Sequence, residues 1–185
     1  MICDYNYVFD PNVYLKRFFS EGVKGDYLFL VDEAHNLVDR GRDMYSAMLY
    51  KEDFLKTKRI LKNYSKKCTM ALESCNKYLL QMKRACETYQ VLDGIGEFVF
   101  ALMQLGSVIE EFFQKEITVP EKKEIMEFYL NLRHFLNIYD LVDENYEIYT
   151  EHMPDGAFKI KLYCVNPAVN LQNCLDKGRT TIFFS

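Results

Sequence analysis

The hydrophobic spacing between Leu61 and Val142 constrains the fold more than any other feature of this sequence. Apolar residues recur there in alternating steps of three and four, the period of helices that pack one face against their neighbours. Gly94, Gly96 and Pro120 divide the pattern into three runs, the longest of which could reach roughly 50 Å as a helix. The first run consists of Leu61, Tyr64, Cys68, Ala71, Cys75, Tyr78, Met82, Ala85 and Tyr89.

Short apolar runs on either side of this helical region predict β-strands. Tyr27–Val31 is a continuous apolar run followed by two acidic residues, which is typical of a strand buried on both faces of a parallel sheet. Thr180–Phe184 is a second candidate strand. Tyr146–Thr150 and Phe158–Cys164 alternate in polarity around Pro154-Asp155-Gly156, which predicts a β-hairpin. The expected fold class is α-rich α/β, with a helical bundle or arm of three main antiparallel helices inserted into a partial parallel sheet.

Composition indicates a globular protein outside the membrane. The chain has 185 residues, of which 49% are hydrophobic, and can bury a substantial core. No segment approaches the roughly 18 to 20 apolar residues of a membrane span, and the polar stretch from Cys3 to Asn6 is unlike a signal peptide. We therefore expect a cytoplasmic location and no membrane partner. Six cysteines at irregular spacings favour buried, reduced thiols over disulfides or a metal centre.

Positive charge is concentrated in one segment, although the whole chain has a net charge of −4. Lys51–Arg84 contains ten basic residues and three acidic ones. On one continuous helix, five of the basic side chains fall in a narrow sector opposite the apolar seam. They are Arg59, Lys62, Lys66, Lys77 and Arg84. This stripe is a hypothetical nucleic-acid-binding surface that follows the phosphates of single-stranded DNA, and the alternative is an ordinary solvated helix face.

Two carboxylates follow the first candidate strand directly, in the sequence Asp32-Glu33-Ala34-His35. Parallel α/β folds present their ligands at the carboxyl ends of strands. In nucleotide hydrolases, one carboxylate in this position holds Mg²⁺, usually through water, while the next orients or deprotonates the attacking water. Asp32 and Glu33 suit these roles in that order. The same four residues can also begin an ordinary acidic helix, so the tetrapeptide alone leaves both interpretations open.

The surroundings of this tetrapeptide resemble the XPD/DinG family of superfamily-two DNA helicases. Leu30–Leu37 reads Leu-Val-Asp-Glu-Ala-His-Asn-Leu, similar to the DEAH motif of that family. Ile2–Pro11 reads Ile-Cys-Asp-Tyr-Asn-Tyr-Val-Phe-Asp-Pro, similar to the segment that precedes the motif. Thr181–Ser185 resembles the approach to motif III, whose first residue would be Ser185. His35 and Ser185 are 150 positions apart, and a helical insertion of this size resembles the Arch domain of XPD-type enzymes.

The resemblance implies an ATP-dependent motor that moves along single-stranded DNA, typically 5′ to 3′, and opens forked duplexes. It implies ATP and Mg²⁺ as ligands, with Asp32 and Glu33 at the nucleotide and with His35 and Ser185 coupling hydrolysis to motif III. Family members with an iron–sulphur cluster carry its cysteines upstream of the corresponding region. The sequence contains no Gly-x-x-x-x-Gly-Lys-Ser/Thr phosphate loop, so we expect this chain alone not to hydrolyse ATP.

The resemblance also implies a domain organisation. Residues 1–45 would belong to a RecA-like motor lobe, 46–145 to an Arch-like helical insertion, and 146–185 to a hairpin and the return to the motor lobe. From the residues alone, two other functions stay open. The helical region could dock repair or transcription partners, or the chain could be a helical protein whose Asp-Glu-Ala-His is a coincidence. Tyr5 and Asn6 could line a DNA path or pack beneath the motor sheet.

Overall fold

A computed structural model describes residues 2–19, 25–115 and 119–185. The chain forms two compact units. The first unit contains the described residues up to Ala47, together with Asp143–Tyr146 and Tyr163–Ser185. The second contains those of Met48–Val142 and Glu147–Leu162. Most of the predicted hairpin therefore lies in the same unit as the helices.

Helices and short strands alternate along the described residues. In chain order they are α1 (Asn6–Phe9), α2 (Lys16–Phe19), β1 (Leu28–Val31), a 3₁₀ turn (Ala34–Asn36), α3 (Leu37–Met44), β2 (Ala47–Tyr50), α4 (Lys51–Leu61), α5 (Lys66–Ala85), β3 (Tyr89–Val91), α6 (Gly96–Phe113), α7 (Lys122–Tyr139), β4 (Tyr146–His152), β5 (Phe158–Cys164), α8 (Ala168–Leu175) and β6 (Thr180–Phe183). The predicted fold class, α-rich α/β, is confirmed.

The first unit is organised around the parallel pair β1 and β6. Leu28 pairs with Thr180 and Val31 with Phe183, which confirms both predicted strands. Helices α3 and α8 approach closely at Gly41, where an added Cβ would lie 3.1 Å from a Leu171 methyl carbon. The apolar core of this unit contains Phe9, Val31, Leu37, Met44, Tyr45, Cys164, Leu171 and Cys174.

The prediction that β1 is buried on both faces is wrong for this chain. Val31 is 5% exposed, but Leu28 and Leu30 are 66% and 68% exposed. Ile182, which pairs with Leu30 on β6, is 56% exposed. The described residues therefore leave one face of the two-stranded sheet uncovered. The prediction failed because an apolar sequence indicates that a strand tends to be buried but does not say which neighbour buries it.

The helices of the second unit number four among the described residues, where the sequence predicted three. The first periodic run is divided between α4 and α5, because the helical backbone stops at Leu61 and a new helix begins after Ser65, whose Oγ accepts a hydrogen bond from Cys68 N (3.2 Å). Helix α5 has 20 residues, which corresponds to about 30 Å and not 50 Å. Each helix packs on the next, and α4 also packs on α7.

Most of the predicted apolar seam residues form the core of this bundle. Phe54 of α4 contacts Phe128 of α7 edge to face, with ring centroids 5.0 Å apart. Tyr64 and Tyr89 depart from the prediction, since Tyr64 lies in the turn between α4 and α5 and Tyr89 lies in β3. The fully buried seam residues include Leu61, Cys68, Cys75, Leu102, Leu105, Ile109, Ile125, Leu132 and Phe135.

A four-stranded sheet with the order β2-β5-β4-β3 accompanies the bundle. Its β4–β5 hairpin confirms the sequence prediction, and Gly156 in the connecting turn has a φ of +85°, where a side chain would strain the backbone. Strands β2 and β3 were not predicted, because each has only three or four residues.

The cysteines are all free, and five of them are buried. Burial raises the pKa of Cys75 to about 12, so this thiol stays protonated and apolar in character. None of the helices in the described parts of the chain combines the length and apolar composition that a membrane crossing requires.

Two leucines on α7 provide a test of the bundle. We expect Leu132→Ala to lower the free energy of unfolding by about 2–5 kcal/mol, because Leu132 is fully buried and its loss leaves a cavity. Leu130 on the same helix is 56% exposed, so Leu130→Ala should change it by less than about 0.5 kcal/mol. Urea denaturation followed by far-UV circular dichroism measures both, and equal losses would contradict the described packing.

Candidate functional site

The Asp32-Glu33-Ala34-His35 loop lies at the carboxyl end of β1, beside the end of β6. Phe184 N donates to Val31 O (3.0 Å), and Ala34 N donates to Phe184 O (3.1 Å). These two bonds continue the parallel pairing beyond the strands and connect Ala34 directly to the residue before Ser185. The structure thus brings the two sequence motifs together at one end of the sheet, although 150 positions separate His35 from Ser185.

Glu33 has an unusual backbone conformation. Its φ and ψ of 50° and 40° are in the left-handed region. Among the described residues other than glycine, Glu33 alone has a positive φ. Such a conformation costs about 1–3 kcal/mol for a residue with a side chain and persists only where its surroundings impose it. Asp32 contributes to this, because its Oδ1 accepts a hydrogen bond from Glu33 N (2.8 Å). Nothing in the sequence pattern indicated this strain.

The acidic and basic groups of the loop are accessible to solvent. Asp32, Glu33 and His35 are exposed, and Ser185 is exposed as well. His35 Nε2 lies 3.4 Å from Glu33 Oε2, with both side chains about three-fifths exposed at 60% and 61%. A contact this exposed contributes little to stability. It shows only that the Glu33 carboxylate and the His35 ring are neighbours in the loop.

Tyr5 also contacts the loop. Its hydroxyl donates to the main-chain oxygen of Asp32. The Arg40 guanidinium lies 5.0 Å from the centre of the Tyr5 ring, and Arg40 Nη1 is 3.7 Å from Asp4 Oδ1. Burial raises the pKa of Tyr5, Arg40 opposes the rise, and the carboxylates of Asp32 and Glu33 add to it, so the hydroxyl remains a donor. Sequence reasoning left Tyr5 undecided and missed Arg40.

The donor set of the loop fits a hard divalent cation held mainly by other ligands. Both carboxylates are exposed at a strand end, and one oxygen of Asp32 already accepts the Glu33 amide. Within the described ranges, no three His, Cys, Asp or Glu side chains converge in a metal-binding group. Mg²⁺ suits such a site, because it keeps several waters and binds one or two carboxylates together with nucleotide phosphates.

The basic residues that the sequence placed on one stripe are divided between two helices. Arg59 lies on α4, Lys62 directly follows the last residue of α4, and the other three lie on α5. The prediction that all five lie on one continuous helix is therefore wrong. Lys66, Lys77 and Arg84 still share one face of α5. All five are exposed, and none forms an ion pair with a described residue. They are Arg59, Lys62, Lys66, Lys77 and Arg84.

Lysines next to these five do form ion pairs. Lys56 Nζ is 2.6 Å from Glu124 Oε2, and Lys67 Nζ is 2.6 Å from Glu111 Oε2. Those pairs connect α4 to α7 and α5 to α6, so they belong to the helix packing. Lys56 and Lys67 therefore offer a ligand less positive charge than the five do.

His152 has a local structural role, as expected for a histidine without a partner at metal-ligand spacing. Its Nε2 lies 3.1 Å from Cys86 O and 3.3 Å from Lys83 O, at the carboxyl end of α5. A ring nitrogen donating to these carbonyls satisfies groups that the helix leaves open.

The comparisons with known proteins give one fold-level result. The sequence matches none of the protein-family models with which it was compared. It also matches none of the curated proteins. Among solved structures, the chain is similar to S. tokodaii Xpd4, with a TM-score of 0.54 and 16% identity over 97% of this chain. The chain spans 38% of the length of that chain. At this identity, the similarity to that chain concerns the fold alone.

The support that Tyr5 gives to the loop can be tested by amide hydrogen exchange. We expect Tyr5→Phe to speed exchange in residues 33–36 by about two- to ten-fold, the effect of losing one hydrogen bond of about 0.5–1.5 kcal/mol. Tyr7→Phe is the matched control, because the Tyr7 side chain is 45% exposed and its hydroxyl has no hydrogen-bond partner among the described residues. Unchanged exchange in Tyr5→Phe would show that its hydroxyl does not hold the loop.

Proposed function

We propose that this chain is part of an ATP-dependent DNA helicase of the XPD type. The observation that carries the proposal is the carboxylate pair Asp32 and Glu33 at the carboxyl end of β1, hydrogen-bonded through Ala34 to the end of β6. This is where a parallel α/β fold places nucleotide chemistry. The similarity of the fold to S. tokodaii Xpd4 supports the proposal, but it carries no information on the reaction.

In the proposed reaction, Asp32 would hold Mg²⁺ through water, and the ion would neutralise charge on the ATP phosphates. Glu33 orients the attacking water and accepts its proton. His35 lies 3.4 Å from Glu33 and couples that carboxylate to Ser185. The main-chain hydrogen bond between Ala34 and Phe184 connects the two segments. Tyr5 positions the main chain of Asp32 through its hydroxyl, next to the two exposed carboxylates.

The uncovered strand face supports a larger motor lobe. Leu28, Leu30 and Ile182 expose apolar surface on one face of a two-stranded parallel sheet. Parallel sheets are normally covered on both faces and contain more strands than two. We propose that further strands and helices of a RecA-like lobe cover this face, and that the same lobe supplies the phosphate loop, which is missing from the sequence of this chain.

The second unit is proposed to be an Arch-like insertion that contacts single-stranded DNA or a forked duplex. The five exposed basic side chains around α4 and α5 form no ion pair with a described acidic residue, although Lys58 and, to a smaller extent, Lys77 lower the pKa of Glu73. Contacts of lysine and arginine with phosphates give binding that weakens as salt rises.

A second candidate function for this unit is docking of a repair or transcription partner. Phe100 and Met103 lie one turn apart on α6 and are 63% and 49% exposed. Exposed aromatic and methionine side chains are typical of protein interfaces. These two side chains lie on α6 and the basic residues lie on α4, on α5 and in the turn between them, so different residues would serve the two functions.

Substitution of Glu33 in the parent protein tests the motor assignment. We expect Glu33→Gln to reduce DNA-stimulated ATP hydrolysis by about 10²- to 10⁴-fold while ATP binding persists, because the amide cannot accept the proton of the attacking water. Glu144 is the matched control, being an exposed carboxylate outside the loop, and Glu144→Gln should leave the rate unchanged. Turnover in Glu33→Gln equal to wild type would refute the assignment, and so would Mg²⁺-dependent hydrolysis by the present chain alone.

Charge reversal on α5 tests the DNA-binding face. We expect the double variant Lys77→Glu, Arg84→Glu to bind a single-stranded oligonucleotide at least about ten-fold more weakly at low salt, since two phosphate contacts become repulsive. Lys123→Glu on α7 serves as a control with one reversed charge at an exposed site. Fluorescence anisotropy measures both, and an unchanged affinity in the double variant would identify an ordinary solvated face.

A further inference from the structure

The turn between α4 and α5 places an exposed aromatic ring among unpaired lysines. Residues 62–65 connect the two helices, and Lys66 is the first residue of α5. We call Lys62, Asn63, Tyr64 and Lys66 the hairpin tip. All four are exposed, in contrast to Leu61 and Cys68 on either side, which are fully buried.

Tyr64 is exposed although its spacing assigns it to the apolar seam. The helical backbone ends at Leu61, and Tyr64 N donates to Leu61 O (3.0 Å) in the turn, so its side chain no longer points along the seam. It is 38% exposed, and its ring stacks on no ring of a described residue. By contrast, Tyr78 packs on Phe98 and Tyr129 on Phe113. The Tyr64 side chain is therefore accessible to another molecule.

The lysines of the hairpin tip are not neutralised by the bundle. Lys58 and Lys67, the nearest lysines along the chain, are paired with Glu73 (2.8 Å) and Glu111 (2.6 Å). Lys62 and Lys66 have no acidic partner among the described residues.

The position of Lys66 also costs stability. It begins α5, whose first turn contains no acidic residue, and a positive charge there is opposed by the helix dipole. Fold stability gives no reason for positive charge at this point.

We propose that the hairpin tip binds single-stranded DNA, with the ring of Tyr64 stacked on a base and with Lys62 and Lys66 on the flanking phosphates. An exposed aromatic ring that is flanked in sequence by two exposed lysines matches a nucleotide strand, which alternates flat bases with negative phosphates. An acidic polypeptide would satisfy the lysines but has no flat group for the ring. The choice of DNA rests on the proposed function, whereas the stacking contact rests on the geometry of the tip.

A single introduced tryptophan reads the stacking directly, because the sequence contains no tryptophan. In Tyr64→Trp, we expect saturable quenching of tryptophan fluorescence on titration with oligo(dT). Tyr89→Trp is the matched control, since Tyr89 is 49% exposed on β3 and has no unpaired lysine beside it in sequence. Quenching in Tyr64→Trp alone supports the proposal. Equal quenching in both variants, or in neither, overturns it.

Affinity measurements separate the ring from the charges. We expect Tyr64→Ala to weaken oligo(dT) binding about five- to a hundred-fold, whereas Tyr64→Phe should keep most of the wild-type affinity. An abasic oligonucleotide should bind the wild-type chain and Tyr64→Ala equally, because it has no base to stack. Lys62→Gln with Lys66→Gln should reduce the slope of log affinity against log salt by about 1.4, or about 0.7 for each phosphate contact. If Tyr64→Ala weakens abasic and base-containing strands equally, or weakens poly-glutamate binding to the same extent, the stacking proposal is wrong.

These measurements use the chain without ATP, and therefore do not depend on the motor. A parent protein with the expected loss in Glu33→Gln but no effect of Tyr64→Ala on DNA binding would retain the proposed function and lose this inference. The reverse pair of results would leave a DNA-binding hairpin tip on a protein that is not a helicase.

Discussion

The parallel pairing of β1 with β6 is the contact on which the candidate site depends. A parallel pair needs a long crossover, and in this chain the crossover contains the whole second unit. Closing a loop of this length costs only slightly more entropy than closing a shorter one, since the cost grows with the logarithm of length. The close approach of α3 and α8 at Gly41 stabilises the pairing from the first unit, because α3 follows β1 and α8 precedes β6. The site is thus assembled from segments that are distant in sequence.

Tyr45 shows how this closure is fixed in the core. Its hydroxyl donates to Phe9 O (2.7 Å) and lies 3.5 Å from Cys174 Sγ on α8. One side chain therefore connects the segment before β1 with the helix before β6. Burial, with Cys174 as a second cause, raises the pKa of Tyr45 far above its usual value, so the hydroxyl stays protonated and remains a donor at any physiological pH. Removal of that donor would leave a buried carbonyl without a partner, which is costly in the interior.

Local sequence signals account for much of this fold, and tertiary context accounts for the differences. Both parallel strands and the β4–β5 hairpin follow from apolar runs and turn residues, as do α6 and α7. The division between α4 and α5 did not, because Leu61 and Cys68 are both buried and the apolar period continues through the turn. The spacing of apolar residues along the sequence does not show whether the chain turns between two of them. The one local signal was Ser65, whose hydroxyl caps α5. For the same reason the basic stripe, placed on one helix by its spacing, lies on two.

The candidate site was only half accessible to sequence reasoning. The residue types Asp32 and Glu33, at the end of an apolar run, indicated the chemistry, but the left-handed backbone of Glu33 has no signature in composition. Three hydrogen bonds impose that conformation. The Tyr5 hydroxyl donates to Asp32 O, Glu33 N donates to the Asp32 side chain, and Ala34 N donates to Phe184 O. Tyr5 and Phe184 are distant from the loop in sequence, so local sequence patterns do not indicate these two bonds. The third bond comes from the residue that follows β6, so the strained conformation of Glu33 depends on the pairing of β1 with β6. The end of β6 is therefore connected to the residue that follows Glu33 by a main-chain hydrogen bond, although the two segments are distant in sequence.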